Sequence, residues 1–283
     1  MNPKVFIVFS SPAGSTRHVA AVIEKELRRL QADVESLDLK QQEQWPAFQD
    51  MITAAGKKAC LFIGSPVYRG LAVPPVMAFI DALGQNRHHY AVPFATWGGA
   101  SSGSALWQMG NALKKKGFEL AGAAKSMGLH SMMFDEPDPL GRGRPNSRDD
   151  DIIEQLAVKV YQGLSDDRLA PLPLEALDYQ PEAIAARNKA AMNQPWKSTP
   201  KTVQEKKCTQ CNVCKEECPV GAIDLTPYPQ FADSCIDCFN CLRLCPEKAV
   251  SIEGDLAERI EQIRARAKTR NERPQTQAFV QNY

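Results

Sequence analysis

Eight of the chain's nine cysteines fall in two runs, CTQCNVCKEECP from Cys208 and CIDCFNCLRLCP from Cys235, 27 residues apart. Each run is C-x2-C-x2-C-x3-C-P. Three thiolates on one tight loop can hold three corners of an iron–sulfur cube. The same offset aligns Ala222 with Ala249, Ile223 with Val250 and Leu225 with Ile252, as in two halves of a repeat that share a core. A module of this size has too little apolar surface to fold by burial alone, so bound metal must supply much of its stability. Zinc is the competing occupant, because four-thiolate sites also use C-x2-C pairs. Such sites, however, take two cysteines from each of two loops. Clustering of this kind in a reducing compartment favours metal over disulfides. Cys60 stands apart in the apolar run ACLFIGS and reads as a small, inert strand residue.

The preceding 165 residues follow another pattern, in which apolar runs alternate with amphipathic stretches. Strands are expected at 4–10, 33–39, 58–65, 90–97 and 118–127, and helices at 15–30, 74–84, 104–117 and 149–164. Five strands alternating with helices predict an α/β fold with a doubly wound parallel sheet. Residues 166–201 carry several prolines and one short alanine-rich stretch, and read as a connector partly packed down. The cysteine-rich module fills 202–254, and 255–283 reads as a charged helix, solvated or more plainly lying on a neighbouring domain, with a polar tail.

Three loops at the carboxyl ends of the expected strands carry small or aromatic residues, where open α/β sheets bind ligands. The first, Ser11, Pro12, Ala13, Gly14, Ser15 and Thr16, offers backbone N–H groups and hydroxyls at a helix N-terminus, which suits a phosphate. No lysine follows it, which argues against a nucleoside triphosphate. A serine-rich turn that merely caps the helix is the plainer alternative. The second loop holds Ser65, Pro66, Val67, Tyr68, Arg69 and Gly70, and the third Thr96, Trp97, Gly98, Gly99 and Gly103. Tyr68 and Trp97 are placed to stack on a flat ring or to pack at a rim.

Together, residues 1–165 resemble the flavodoxin-like family. SPAGST matches its phosphate loop at Ser11, Gly14 and Thr16 and departs from it at Ala13, where the family usually has a hydroxyl. The resemblance implies FMN as cofactor, bound by the three loops, and pairing of two chains through their FMN faces to form a homodimer. The cysteine module resembles a bacterial two-cluster ferredoxin, a small α+β domain. That resemblance assigns Cys208, Cys211, Cys214 and Cys245 to one [4Fe–4S] cluster and Cys235, Cys238, Cys241 and Cys218 to the other. The whole chain looks like the flavodoxin–ferredoxin fusions, iron–sulfur flavoproteins of anaerobic bacteria and archaea.

An electron carrier linking clusters and FMN to a redox protein partner is the first functional expectation. An FMN-dependent reductase of a small molecule is the second, with Arg69 and His130 as candidate catalytic residues. Their plainer reading is a surface arginine and a structural histidine. The loop at 135–151 reads by default as a plain surface loop, and alternatively as a lid or docking surface with Arg142, Arg144 and Arg148 facing an acidic partner. A redox sensor is the third reading, without a basic recognition helix to support it. With 34 Lys and Arg against 33 Asp and Glu, the charge balance points to neither nucleic acid nor an acidic membrane surface. No run has the length of a membrane span and no signal peptide is read, so the expected location is the cytoplasm.

Overall fold

The computed structural model describes residues 3–56, 59–86 and 89–281. Lys58, the first residue of the third expected strand, and the last two residues of the tail lie outside them. The apolar runs form β1 (Lys4–Phe9), β2 (Asp33–Asp38), β3 (Cys60–Tyr68) and β5 (Tyr90–Trp97), with a short β4 (Leu71–Ala72) folding back on β3. The fifth run divides into β6 (Glu119–Leu120) and β7 (Ala123–Met127) around Gly122. The strands lie side by side in the order β2-β1-β3-β5-β7, all parallel. This is the order of the flavodoxin-like doubly wound sheet.

Burial on both faces explains why these strands are continuously apolar rather than alternating. Val5, Ile7, Cys60 and Phe62 point to one face, where α1 (Ser15–Arg29) and α5 (Ser147–Ser165) pack on them. Phe6, Val8, Leu61 and Ile63 point to the other, under α2 (Trp45–Ala54), α3 (Pro74–Ala82) and α4 (Ala105–Lys115). The sequence pattern predicts no helix at α2. It starts with a proline in its first turn and buries Phe48 edge-on against Phe6, with ring centroids 5.7 Å apart. Cys60 is fully buried, which pushes its thiol far above the ordinary range.

The tail departs most from expectation. Leu172 and Leu177 of the connector enter the core beside α4, and α6 (Glu182–Ala191) follows them. The C-terminal helix reads as solvated or as lying on a neighbouring domain, with a polar tail after it. Instead α9 (Leu256–Arg270) leads into β12 (Gln277–Phe279), which pairs antiparallel with β7 and closes that edge of the sheet. The cause lies in β7. Lys125 is 1% exposed, and Glu272 meets its ammonium at 2.6 Å. The rings of Tyr179 and Trp97 lie beneath the same ammonium at 4.7 and 5.6 Å. A cation in the sheet interior requires a counter-charge, and residue 272 is where the chain supplies it.

The cysteine module adds two short antiparallel pairs, β8 (Lys201–Val203) with β11 (Val250–Ile252) and β9 (Ile223–Leu225) with β10 (Pro229–Phe231). Two single-turn helices, α7 (Val213–Glu216) and α8 (Asn240–Arg243), complete it.

Truncating Glu272→Ala leaves Lys125 buried without its partner, and we expect a loss of about 3–5 kcal/mol in urea unfolding. Burial raises the Glu272 carboxyl, but hydrogen bonds from Lys125 and Ser102 outweigh it and leave the group below its ordinary value. A carboxylate lowered by folding stabilises above its unfolded pKa of about 4.3, and that contribution is lost as pH falls through the folded value. The acid sensitivity of wild type should therefore shrink in Glu272→Ala.

Candidate redox site

The internal repeat extends to the backbone. Gln210 and Asn212 lie in the left-handed region at φ 56° and 66°, and their counterparts Asp237 and Phe239 at 58° and 61°. Further on, Gly221 at 61° matches Lys248 at 47°. Non-glycine residues hold this conformation at a cost of roughly 1–2 kcal/mol each, and it persists where the surroundings over-determine it. Here it curls each loop around its thiols. Cys208, Cys211, Cys214 and Cys245 line one small cavity, and Cys218, Cys235, Cys238 and Cys241 line a second. Each cavity thus draws three cysteines from one run and the fourth from the other. The fourth cysteines accept matching bonds, Ala222 N–H to Cys218 Sγ at 3.2 Å and Ala249 N–H to Cys245 Sγ at 3.3 Å. Among the described residues, no three or more His, Cys, Asp or Glu side chains are arranged to hold a single metal ion.

A small pocket brings together Ala13, Ser15, Thr16, Pro66, Val67, Tyr68, Thr96, Trp97 and Gly98 from the three nominated loops. Thr16 and Thr96 join two of those loops through a 2.7 Å hydroxyl contact. Gly14 precedes α1 at φ 93° with open space where a side chain would stand, so it caps neither Ser15 nor Thr16, which line the pocket, while the Arg17 N–H is taken by Ser11. That donor set fits an anion. Tyr68 forms the opposite wall. Its hydroxyl is buried beside Ser131 without a hydrogen bond of ordinary geometry, and burial raises it far above the ordinary range.

Other nominated residues stand back from this pocket. The Ser11 hydroxyl accepts the Arg17 N–H at 2.8 Å, and the Pro12 carbonyl faces the cysteine module. Ser65 is fully buried and ties the turn together, donating to the Pro66 carbonyl and accepting from the Val73 N–H. Gly103 lets the third loop close on Gly70, whose backbone a Cβ at 103 would strike at 2.1 Å. Gly99 packs against Met127 in the same way. Trp97 turns toward the tail, where its indole N–H donates to the Gln275 carbonyl at 2.9 Å. It is therefore pinned under the tail rather than free to lie over a ring.

The family model of the 4Fe-4S binding domain matches residues 201–224, a stretch that holds Cys208, Cys211, Cys214 and Cys218. The chain joins a flavodoxin-like domain to a ferredoxin domain. Over 54 residues the chain is 39% identical to a subunit of the ion-translocating oxidoreductase complex of Methanosarcina acetivorans, covering 18% of this chain and 20% of that protein. The chain thus spans a fifth of that relative's length. Rubredoxin oxygen:oxidoreductase from Desulfovibrio gigas is 20% identical, with TM-score 0.47 over 60% of this chain and 38% of that one. A flavodoxin from the domain Archaea is 14% identical, with TM-score 0.40 over 57% of this chain and 99% of that one.

The two domains of this fusion meet at the second cysteine loop. Ile236 and Cys238 pack into the flavodoxin-like core, with Val67 and Tyr68 partly buried against the same cluster. Arg243 donates to the Pro12 carbonyl at 3.1 Å, which ties the ferredoxin domain to the loop before α1. Arg69, nominated as a catalytic cation, is instead a junction residue. It is held at φ 55°, pairs with Asp237 at 2.9 Å and lies over the Trp196 ring. The first cysteine run meets the other domain through an ion pair of Glu217 with Lys40 at 3.1 Å, and Cys211 is exposed while Cys238 and Cys241 are buried.

His130 does line the pocket, with Gly128, Leu129 and Ser131 of the same loop, which sequence reasoning left out. Burial pushes it down to about 4, and its Nδ1 accepts the Met132 N–H. The ring is therefore neutral at pH 7, and Nε2 carries its proton. Arg144 is committed to Asp149 and Gln275 and does not match the expected surface for an acidic partner, whereas Arg142, which donates to the Pro137 carbonyl, is exposed. Arg148 remains exposed.

We expect the His130 ring-proton NMR signals to stay constant from pH 8 to about 5 and to titrate near 4; a midpoint near the ordinary value of about 6.5 would contradict its burial. The unfolded chain takes up that proton first, so this group lowers stability as pH drops below about 6.5.

Proposed function

We propose that this chain is an iron–sulfur flavoprotein that relays electrons between FMN on residues 1–165 and two [4Fe–4S] clusters on residues 202–254. The observation that carries the reading is the docking of the second cysteine loop on the nucleotide side of the sheet. Asp237 and Phe239 line the same cavity as Tyr68 and Arg69, and Cys238 flanks the buried Tyr68. The two thiol-lined cavities, each with the mixed set expected of interlocked ferredoxin halves, support two clusters. Ser15, Thr16 and the N–H groups opening α1 would hold the FMN phosphate, and Tyr68 and the 128–131 loop would border its ring. When bound, FMN exchanges one or two electrons while a cluster exchanges one, so their union converts between the two.

On this reading the set around Cys238 is the flavin-proximal cluster, and the set around exposed Cys211 meets the external redox partner. Electron transfer is the role that the ferredoxin match and the oxidoreductase relative support. Among the described residues no helix is long and apolar enough to cross a membrane. A reductase acting on a small molecule is the second reading, favoured by a cavity of about 900 Å³ beside Tyr68.

Protein prepared without oxygen should contain about eight irons, about eight sulfides and one FMN per chain. Dithionite should reduce flavin and clusters together within the mixing time. Two zincs and no sulfide, or four irons, would refute the assignment. Thr16→Ala should weaken FMN binding about tenfold, as expected for a hydrogen bond to a charged group, and leave the iron content unchanged.

A further inference from the structure

Beside the small pocket lies the larger cavity, about 900 Å³, a size typical of sites for small organic molecules. The two share Val67, Tyr68, Gly98, His130 and Ser131, so they adjoin where the flavin ring is proposed to sit. The far wall is one face of α9. Glu258, Gln262, Arg266 and Arg270 follow one another at every fourth residue, and Arg187 of α6 joins them.

The charged groups of this cavity are unevenly partnered. Arg69 is taken by Asp237, and Arg259 reaches the Thr199 hydroxyl and the Glu253 carbonyl. Among the acids, Asp237 is also held by Lys201 and Thr199, Asp255 caps α9, and Glu258 accepts from Gln262. Arg187, Arg266 and Arg270 have no hydrogen bond or ion pair with any described residue. They nonetheless stand close enough to repel. Burial first, and then the guanidiniums of Arg187 and Arg266, lower Arg270 from its ordinary value against a smaller opposing pull from Glu272. Like charges converging on a concave surface raise the energy of the free protein and are relieved when a ligand supplies the negative charge. The opposite wall carries Val67, Tyr68, Met132 and Phe239, which suit an organic body.

We infer that this cavity binds an oxyanion-bearing small organic molecule, with its carboxylate or phosphate groups held by Arg187, Arg266 and Arg270 and its body directed toward Tyr68 and His130. The inference rests on the flavin reading for its redox meaning, since it names the substrate class of that site. The arginine end is measurable whether or not FMN binds.

Isothermal titration calorimetry of the full chain with citrate, and separately with pyrophosphate, at about 0.15 M salt tests it. We expect saturable one-to-one binding of at least one anion. Citrate alone would mark a carboxylate ligand, and pyrophosphate alone a phosphate ligand. The double variant Arg266→Gln/Arg270→Gln should weaken that binding at least tenfold. Arg187→Gln, on an exposed helix face, should weaken it severalfold and guards against a double variant that does not fold. The exposed control Arg148→Gln should leave it unchanged. No saturable binding of either anion overturns the inference. So does pyrophosphate binding that Thr16→Ala abolishes and the arginine variants leave intact, which would place it at the phosphate loop. FMN titrated into the same proteins reports separately: wild type that binds citrate but not FMN sinks the flavin reading alone.

Discussion

Asp237 is the point through which the two domains act as one body. It lies between Cys235 and Cys238, is 6% exposed, and takes a left-handed backbone conformation that its own loop would not favour in isolation. Its carboxylate accepts from the Thr199 N–H at 2.9 Å, the Lys201 ammonium at 3.1 Å and the Arg69 guanidinium at 2.9 Å. The first two partners fix the cysteine loop to the end of the connector and the start of β8, and the third fixes it to the flavodoxin-like domain. Lys201 also donates to Cys235 Sγ at 3.1 Å, so the same charge network touches a thiol proposed to bind a cluster. Removing one partner from a buried set of this kind strands the others, which is why the geometry of loop and junction rise or fall together.

The repeat is symmetric in its backbone and asymmetric in its side chains. Thr209, Asn212, Lys215 and Glu217 in the first half face water or surface partners, whereas Ile236, Phe239, Leu242 and Leu244 occupy the equivalent places in the second. Ile236, Phe239 and Leu242 are buried. One half is therefore built to be covered and the other to remain accessible. The 27-residue offset makes Tyr228 the counterpart of Lys201, so the ammonium that reaches Cys235 from the first half has no lysine counterpart reaching back from the second. A cation near the sulfurs and a drier setting both act on a cluster's potential, and the two proposed clusters would therefore differ.

Local pattern made the sheet, the flanking helices other than α2 and the two cysteine runs legible in the sequence, because each depends on spacing along the chain, whereas the exchange of fourth cysteines between the runs came from the ferredoxin resemblance. What escaped depends on pairs far apart. Arg69 reads as a surface cation until Asp237, 168 positions away, is brought to it. The segment from 255 reads as a charged helix, solvated or lying on a neighbouring domain, with a polar tail, yet Glu272 answers Lys125 across 147 positions. Lys125 itself was the available signal, a lysine inside an otherwise small and apolar strand. Likewise the apolar residues of the second cysteine run stood in plain view, and comparing the halves by polarity would have placed the docking face.

If the second cysteine loop is a wall of the flavin site, ligand on one domain must be felt by the other. Hydrogen–deuterium exchange on flavin-free protein, before and after adding FMN, tests this directly. The account predicts slowed exchange in residues 236–243 together with the loops at 13–16, 66–68 and 128–131. Protection confined to the flavodoxin-like loops, with 236–243 unchanged, would contradict it.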